Sequence, residues 1–154
     1  LSRPEAVSPH REFLAPSRFR EVLPDPDAPA PDQVTRAVFC TGKVYYDLAA
    51  CRKERNIADT VIIRLEQIYP LAREQLTCLL APYQKVRDFV WCQEEPSNMG
   101  AWGHLRNRLG HLFATSFRYA GRPPMACPAE GAKALHAAAQ KRLLAAAFGP
   151  RAQS

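Results

Sequence analysis

Short apolar runs alternate along the chain with longer segments in which apolar residues recur every three or four positions. Each run is bounded by charged or turn-forming residues, as buried strands are. The predicted strands cover residues 37–40, 59–67, 89–92 and 116–119. The helical spacing predicts helices over residues 44–55, 70–83, 101–112 and 132–148. Because strands and helices alternate, right-handed crossovers predict a mostly parallel sheet covered on both faces, which is a three-layer α/β fold.

The run at residues 89–92 has the composition of a strand in the middle of a sheet. It holds two aromatic residues and a β-branched one, and polar residues and a proline follow it. Such a run is typical of a strand that is buried on both faces. We therefore predict that a loop over residues 93–100 leaves this strand and leads into the helix that carries Trp102, Leu105 and Leu109.

The strand at residues 59–67 is apolar on one face and becomes polar on the other toward its end. Arg64 and Glu66 are two positions apart, so their side chains point to the same face. We predict an ion pair between them at the rim of the sheet. A catalytic role for the carboxylate of Glu66 is the less favoured alternative.

The starts of two helices carry recognisable signals. Thr41-Gly42-Lys43 follows the first strand and precedes a helix, a pattern that suggests phosphate binding. It fails as a P-loop, because Ala37 stands where the first glycine would be and Val44 stands where a magnesium-binding hydroxyl would be. We favour a plain turn in which Thr41 caps the helix, over a nucleotide loop. At the second helix, Pro70 is suited to the first helical turn.

The proline distribution divides the chain. Residues 1–33 hold seven of the fourteen prolines, so we predict an extended linker there that runs over a surface. Residues 34–149 form one predicted domain, and residues 150–154 form a tail. The sequence begins with Leu1 and not with Met, which suggests a piece of a longer protein.

Length, cysteines and charge limit the class of protein. A chain of 154 residues buries roughly 70% of its unfolded surface without help from a disulfide or a metal. Its five cysteines show no pair at two-residue spacing, which favours a reducing compartment. No apolar run approaches the roughly 18 residues of a membrane span. The net charge of +6 comes from scattered arginines, so an ordinary basic surface is favoured over a nucleic-acid interface.

The residues themselves predict no catalytic, cofactor-binding or metal-binding set. Ligands of such sheets gather at the carboxyl ends of the strands. Glu94 and Glu95 follow one of these strands, but adjacent side chains in an extended segment point opposite ways and cannot share a proton. The histidines at positions 10, 104, 111 and 136 lack the spacing of metal ligands. No Gly-Asp-Gly block is present that would begin a thiamine diphosphate and magnesium signature.

Five blocks of sequence resemble one family, in the same order. They lie at residues 41–48, 64–70, 91–102, 118–122 and 128–131, the last together with His136, and read TGKVYYDL, RLEQIYP, WCQEEPSNMGAW, RYAGR and PAEG. Together they resemble the C-terminal domain of the thiamine-dependent first component of the 2-oxoglutarate dehydrogenase complex. The resemblance covers about residues 34–149. Thr41, Met99 and Cys127 depart from residues that are commoner in the family. Residues 45–48 favour the oxoglutarate enzyme over its oxoadipate relative.

The resemblance implies a fold like the C-terminal domain of transketolases, with about five strands, one of them antiparallel. It also implies that the full subunit oxidatively decarboxylates 2-oxoglutarate and passes the succinyl group to the lipoyl arm of a dihydrolipoyl succinyltransferase core. Thiamine diphosphate and magnesium would lie between the two preceding domains of a homodimer. This chain would then be an inactive assembly domain that holds no cofactor. Its partners would be those domains and the dimer mate, with no nucleic acid and no membrane.

Several polar residues are candidates for contacts at the rims of the domain. In some relatives a regulatory nucleotide or acyl-CoA binds near the junction with the preceding domain, so Lys43, Arg118 and Arg122 are candidate anion contacts. Candidate contacts with the neighbouring domains are Glu94, Glu95, Asn98 and Trp102. The alternatives are the same role in a 2-oxoadipate dehydrogenase, or an independent nucleotide-binding or acyl-CoA-binding module. The bias toward alanine, arginine and proline, together with no recognisable leader, favours a bacterial cytoplasm over a mitochondrial matrix.

Overall fold

A five-stranded mixed sheet lies between two layers of helices in the computed structural model, which describes residues 18–126 and 133–149. The strands are β1 (Val22–Leu23), β2 (Arg36–Cys40), β3 (Thr60–Leu65), β4 (Asp88–Pro96) and β5 (Arg118–Arg122). The helices are α1 (Val44–Glu54), α2 (Arg73–Leu80), α3 (Trp102–Phe113) and α4 (Lys133–Phe148). This order confirms the predicted three-layer α/β fold.

The strands lie in the order β1-β3-β2-β4-β5, and β2 to β5 are parallel. Strand β1 is antiparallel to β3, with Val22 opposite Leu65. The antiparallel strand thus comes from the proline-rich segment before residue 34, where the residue pattern predicted no strand. Two residues between prolines give too short a pattern to indicate a strand, and an edge position is one that such a segment can occupy.

Each face of the sheet packs against its own pair of helices. On one face, Phe39, Ile63 and Trp91 pack with residues of α2 and α3. On the other face, which we call the α1–α4 core, Val38, Cys40 and Cys92 pack with residues of α1 and α4. Alternate residues of one strand therefore enter different cores, which explains why the predicted strands read as continuous apolar runs.

Strands β4 and β5 extend farther than predicted. Residues 93–96 were predicted to be a loop, but they continue β4, and Pro96 pairs with Arg122. The register shifts between Cys92 and Pro96, and this irregularity hides the strand from a reading of the sequence. Strand β5 was predicted over residues 116–119 and is displaced toward its carboxyl end. Residue 121 of this strand is a glycine, and a larger residue would not fit there, because an added Cβ would lie 2.9 Å from the carbonyl oxygen of Gln93.

Two predicted helix starts are wrong. Thr41 does not cap α1, because Gly42 turns the chain with a φ of 69° and leaves Lys43 at the N-cap without a side-chain bond. Pro70 does not lie in the first turn of α2, which begins at Arg73. The carbonyl of Pro70 instead accepts a hydrogen bond of 2.8 Å from Gln67, within the loop before the helix.

Candidate functional site

The buried side chain of Gln93 organises the carboxyl edge of the sheet, which we define by the last residues of the parallel strands: Cys40, Leu65, Pro96 and Arg122. Its oxygen accepts hydrogen bonds from the Trp91 indole, at 2.8 Å, and from the Trp102 backbone, at 3.0 Å. Its nitrogen lies 2.8 Å from the carbonyl oxygen of Met99, and 3.2 Å from those of Glu95 and Pro96. One amide therefore fixes the turn between β4 and α3.

Two further contacts tie this turn to β5 and the segment after it. The side chain of Asn98 exchanges hydrogen bonds of 3.0 and 3.1 Å with the backbone of Met125. The Tyr119 hydroxyl lies 2.9 Å from the carbonyl of Glu95 and 3.0 Å from that of Arg122. Burial raises the pKa of Tyr119 to about 12, so the phenol stays a hydrogen-bond donor at neutral pH.

The candidate interface residues gather at the carboxyl edge, in different environments. Glu94 forms an ion pair of 2.6 Å with Lys43 at the start of α1. Glu95 is exposed, and its Cβ lies beside Gly100. Trp102 is partly buried, with its ring 5.3 Å from that of Tyr119.

The three candidate anion contacts do not come together. Lys43 and Arg122 lie at the carboxyl edge, whereas Arg118 begins β5 at the amino edge, defined by the first residues of β2 to β5. Arg122 is 5% exposed, its Nη2 lies 2.8 Å from Nδ1 of His136, and its Nε has no hydrogen-bond partner among the described residues. Because a guanidinium only donates, Nδ1 of His136 accepts this hydrogen bond.

Arg118 is engaged in a structural cluster at the amino edge. Its Nη2 lies 2.9 Å from Asp88, which also accepts a bond of 2.7 Å from Nε of Arg36. The same two arginines donate to the carbonyls of Ala146 and Gly149 at the end of α4. Burial raises the pKa of Asp88, but the hydrogen bonds and charges of Arg118 and Arg36 outweigh it and hold the pKa below its ordinary value.

The rim beside β3 carries the ion pair predicted from the strand pattern. Nε of Arg64 lies 2.8 Å from Glu66, and the guanidinium also stacks on the ring of Tyr45 at 4.6 Å. Nearby along the chain, Tyr69 is 74% exposed and contacts the ring of His104. The pairing of Glu66 with Arg64 favours the structural interpretation of this carboxylate.

Sequence reasoning missed the role of Gln93 and placed it in a loop. Its partners are mainly backbone groups, which carry no signal in the sequence. A polar residue that directly follows a buried apolar run is the one signal that could have indicated this role.

Among residues 18–126 and 136–149, no group of three or more His, Cys, Asp and Glu side chains could hold a metal ion.

Comparison with known proteins identifies the fold and the family. The family model described as 2-oxoglutarate dehydrogenase C-terminal matches residues 7–148. A solved structure described as a split-gene transketolase, an inactive beta4 tetramer, aligns with a TM-score of 0.52 at 12% identity over 73% of this chain and 37% of its own. At that identity the likeness shows the fold, and it confirms the expected transketolase-like architecture.

Curated relatives agree with the family model. The 2-oxoglutarate dehydrogenase E1 component of Cupriavidus necator is 43% identical over 96% of this chain, and that of Azotobacter vinelandii is 44% identical over 89%. The mitochondrial 2-oxoglutarate dehydrogenase of Caenorhabditis elegans is 39% identical over 97%. The chain spans 16%, 15% and 15% of their lengths, respectively. No helix in the described part of the chain is long and apolar enough to cross a membrane. The family match and these identities show that the chain belongs to the 2-oxoglutarate dehydrogenase C-terminal family.

Proposed function

We propose that this chain is the C-terminal assembly domain of a 2-oxoglutarate dehydrogenase E1 component. The observation that carries the proposal is the match to the family over residues 7–148, with relatives above 40% identity that bear this name. The full polypeptide would oxidatively decarboxylate 2-oxoglutarate and pass the succinyl group to the lipoyl arm of a succinyltransferase core. Because those relatives are named for 2-oxoglutarate, we favour this substrate over 2-oxoadipate.

The cofactors of the reaction would be bound by other parts of the polypeptide. Thiamine diphosphate with magnesium would supply the carbanion chemistry between the preceding domains of a homodimer. This chain would contribute a rigid surface for contact with the other domains. A turn held by Gln93, Asn98 and Tyr119 offers a surface of fixed shape, and pre-organised surfaces lose less entropy when they bind. We expect a bacterial cytoplasm, or the mitochondrial matrix if the source is a eukaryote.

Glu95 is the clearest candidate for contact with a neighbouring domain. It is exposed at the carboxyl edge, while Glu94 is paired with Lys43 and Asn98 is bonded to the backbone of Met125. A carboxylate at this position is able to pair with a cation of the preceding domains. Trp102 adds a partly exposed aromatic surface at the same edge.

A chimera tests this proposal. The matching C-terminal segment of the C. necator E1 component is replaced by this chain, and 2-oxoglutarate decarboxylation is measured. We expect an active chimera that E95K impairs at least five-fold, as a loss of roughly 1 kcal/mol at an interface would. E54K is the matched control, because Glu54 is also exposed but ends α1 at the amino edge. A folded but inactive chimera, or equal effects of E95K and E54K, would contradict the proposal.

A regulatory anion site is a second proposal, and one observation favours it. The buried guanidinium of Arg122 has no hydrogen-bond partner at Nε among the described residues, and its Nη2 donates to a histidine and not to a carboxylate, so it retains the capacity to bind an anion. Lys43 lies at the same edge. We expect AMP or acetyl-CoA to bind the chain in a calorimetric titration and R122M to abolish the heat. Titrations without heat for both ligands would remove this function and leave the assembly role intact.

A further inference from the structure

Two large aromatic side chains are exposed at one place on the surface. Phe19 is 64% exposed and Tyr69 is 74% exposed, and no other large apolar side chain among the described residues is exposed. Tyr69 follows β3 by four residues, and Phe19 precedes β1, which runs antiparallel to β3, so both lie at the carboxyl edge. Single apolar residues are ordinary on a protein surface, but two together indicate a surface that another part of a protein covers.

Backbone hydrogen bonds bring the two segments together. The carbonyl of Glu21 accepts bonds of 2.9 and 3.0 Å from the amides of Glu66 and Gln67, so the pairing of the two segments continues past β1. In this antiparallel arrangement, Phe19 lies two residues before Glu21 and Tyr69 lies two residues after Gln67. The two aromatic residues therefore extend the same end of the sheet, and we call them the Phe19–Tyr69 patch.

The loop that carries Tyr69 is held in place by its neighbours. Ile68 and Leu71, on either side of it along the chain, pack against the core on the α2–α3 face of the sheet. The ring of Tyr69 meets the ring of His104, near the start of α3, edge to face at 5.9 Å. A ring that is exposed and yet held loses little side-chain entropy when it binds, which suits an aromatic anchor of an interface.

The connection of the chain indicates what covers the patch. Because Phe19 precedes β1, the polypeptide before residue 18 joins the domain at the carboxyl edge, beside the patch. The chain spans 16% of the C. necator relative, so most of that protein lies outside the matched part. A domain attached through this connection would have a high effective concentration at the patch.

We propose that the Phe19–Tyr69 patch inserts into an apolar pocket of the preceding domain of the same polypeptide, with Tyr69 as the anchor. The inference rests on the proposed assembly function and adds a second contact to it. Glu95 lies on β4, whereas the patch lies beside β3, two strand spacings or about 10 Å away along the same edge. The preceding domain then covers the carboxyl edge from β1 to β4.

Hydroxyl-radical footprinting of the isolated chain and of the C. necator chimera tests the proposal. The radicals oxidise a side chain at a rate that follows its exposed area. We expect Phe19 and Tyr69 to react about five-fold more slowly in the chimera, because the anchors of an interface are desolvated. His111 is the control, since it is exposed near the end of α3 at the amino edge, and it should react equally in both proteins. Equal rates for Tyr69 in both would overturn the proposal.

Decarboxylation by the same chimera separates this inference from the proposed function. An active chimera in which Tyr69 stays exposed contradicts the patch alone. An inactive chimera in which Tyr69 is protected supports the patch and contradicts the assembly function.

A variant tests whether Tyr69 is the anchor. Y69A should leave thermal unfolding of the isolated chain nearly unchanged, because the ring is exposed. In the chimera it should speed limited proteolysis between this chain and the preceding domain about ten-fold, since cleavage follows the population of the undocked state. H111A is the matched control and should not change that rate. Equal rates in the Y69A and H111A chimeras would contradict the anchor.

Sedimentation of the isolated chain tests the alternative occupant, a second copy, and does not require the chimera to fold. We expect a monomer, because the pocket that receives the patch lies in the preceding domain. A dimer that Y69A dissociates would assign the patch to contact between copies and overturn the proposal.

Discussion

At the scale of single residues, side-chain contacts follow from the sequence only where periodicity fixes both partners. The pair Arg64 and Glu66 was predictable because two positions along a strand share a face. The contacts of Gln93 were not predictable from the sequence. Its side-chain nitrogen donates to carbonyls of a turn, and the path of that turn depends on the register shift in β4. The Asp88 cluster was also missed, because it joins three strands and the end of α4.

Replacement of Gln93 by leucine tests its role in the turn. Q93L removes the described side-chain partner of the Trp91 indole, the Trp102 amide and the Met99 carbonyl, and each buried unsatisfied group costs about 1–3 kcal/mol. We expect the free energy of unfolding in urea to fall by about 2–4 kcal/mol. Q84L, at an exposed position after α2, should change it by less than about 0.5 kcal/mol. A Q93L chain as stable as Q84L would exclude this role.

The cluster around Asp88 predicts a dependence of stability on pH. The pKa of Asp88 in the folded chain lies below its ordinary value of 3.8, so the carboxylate stabilises the fold above that pH. This contribution is lost as the pH falls through the folded-state pKa. D88N should lower the free energy of unfolding by about 1–3 kcal/mol at pH 7, and the difference should shrink below about pH 4. If the difference in free energy of unfolding between D88N and the unsubstituted chain stayed constant from pH 7 to pH 2, the proposed role of the carboxylate would be contradicted.

At the scale of elements, the sequence predicts those whose apolar pattern is regular. Strands β2 and β3 and helices α1 and α3 lie close to the predicted ranges. Strand β1 was missed because two residues carry no periodicity. It is held instead by Asp25, which is buried, forms an ion pair with Arg52 and accepts a hydrogen bond of 2.9 Å from the Ile62 amide. The antiparallel strand is thus fixed by a charged side chain that no hydrophobic pattern indicates.

Removal of Arg52 tests how β1 is held. R52M leaves the carboxylate of Asp25 buried beside an apolar side chain, and loss of one partner of a buried ion pair costs about 3–5 kcal/mol. We expect a loss of that size in urea unfolding, with faster proteolysis near β1 in the native chain. K53M is the matched control on the exposed face of α1 and should be nearly neutral. If K53M and R52M had equal effects, the ion pair would not be what fixes the strand.

At the scale of the whole molecule, the alternation of strands and helices predicts the layers, and the resemblance to the family predicts the one antiparallel strand. The blocks at residues 64–70, 91–102 and 118–122 recur at the carboxyl edge, where Gln93, Asn98 and Tyr119 fix the shape of one surface. A surface of fixed shape loses less entropy when it binds, which fits the proposed contact with other parts of a longer polypeptide. The chain covers 16% of the C. necator relative, so most of that protein lies outside the matched part.

The most direct measurement is the release of carbon dioxide from 2-oxoglutarate by the isolated chain, supplied with thiamine diphosphate, magnesium and an artificial electron acceptor. The complete E1 component of C. necator is the positive control. An assembly domain should release no more carbon dioxide than the blank without protein, while the control is active. Decarboxylation by the isolated chain that depends on thiamine diphosphate would contradict the assignment of the chemistry to other domains.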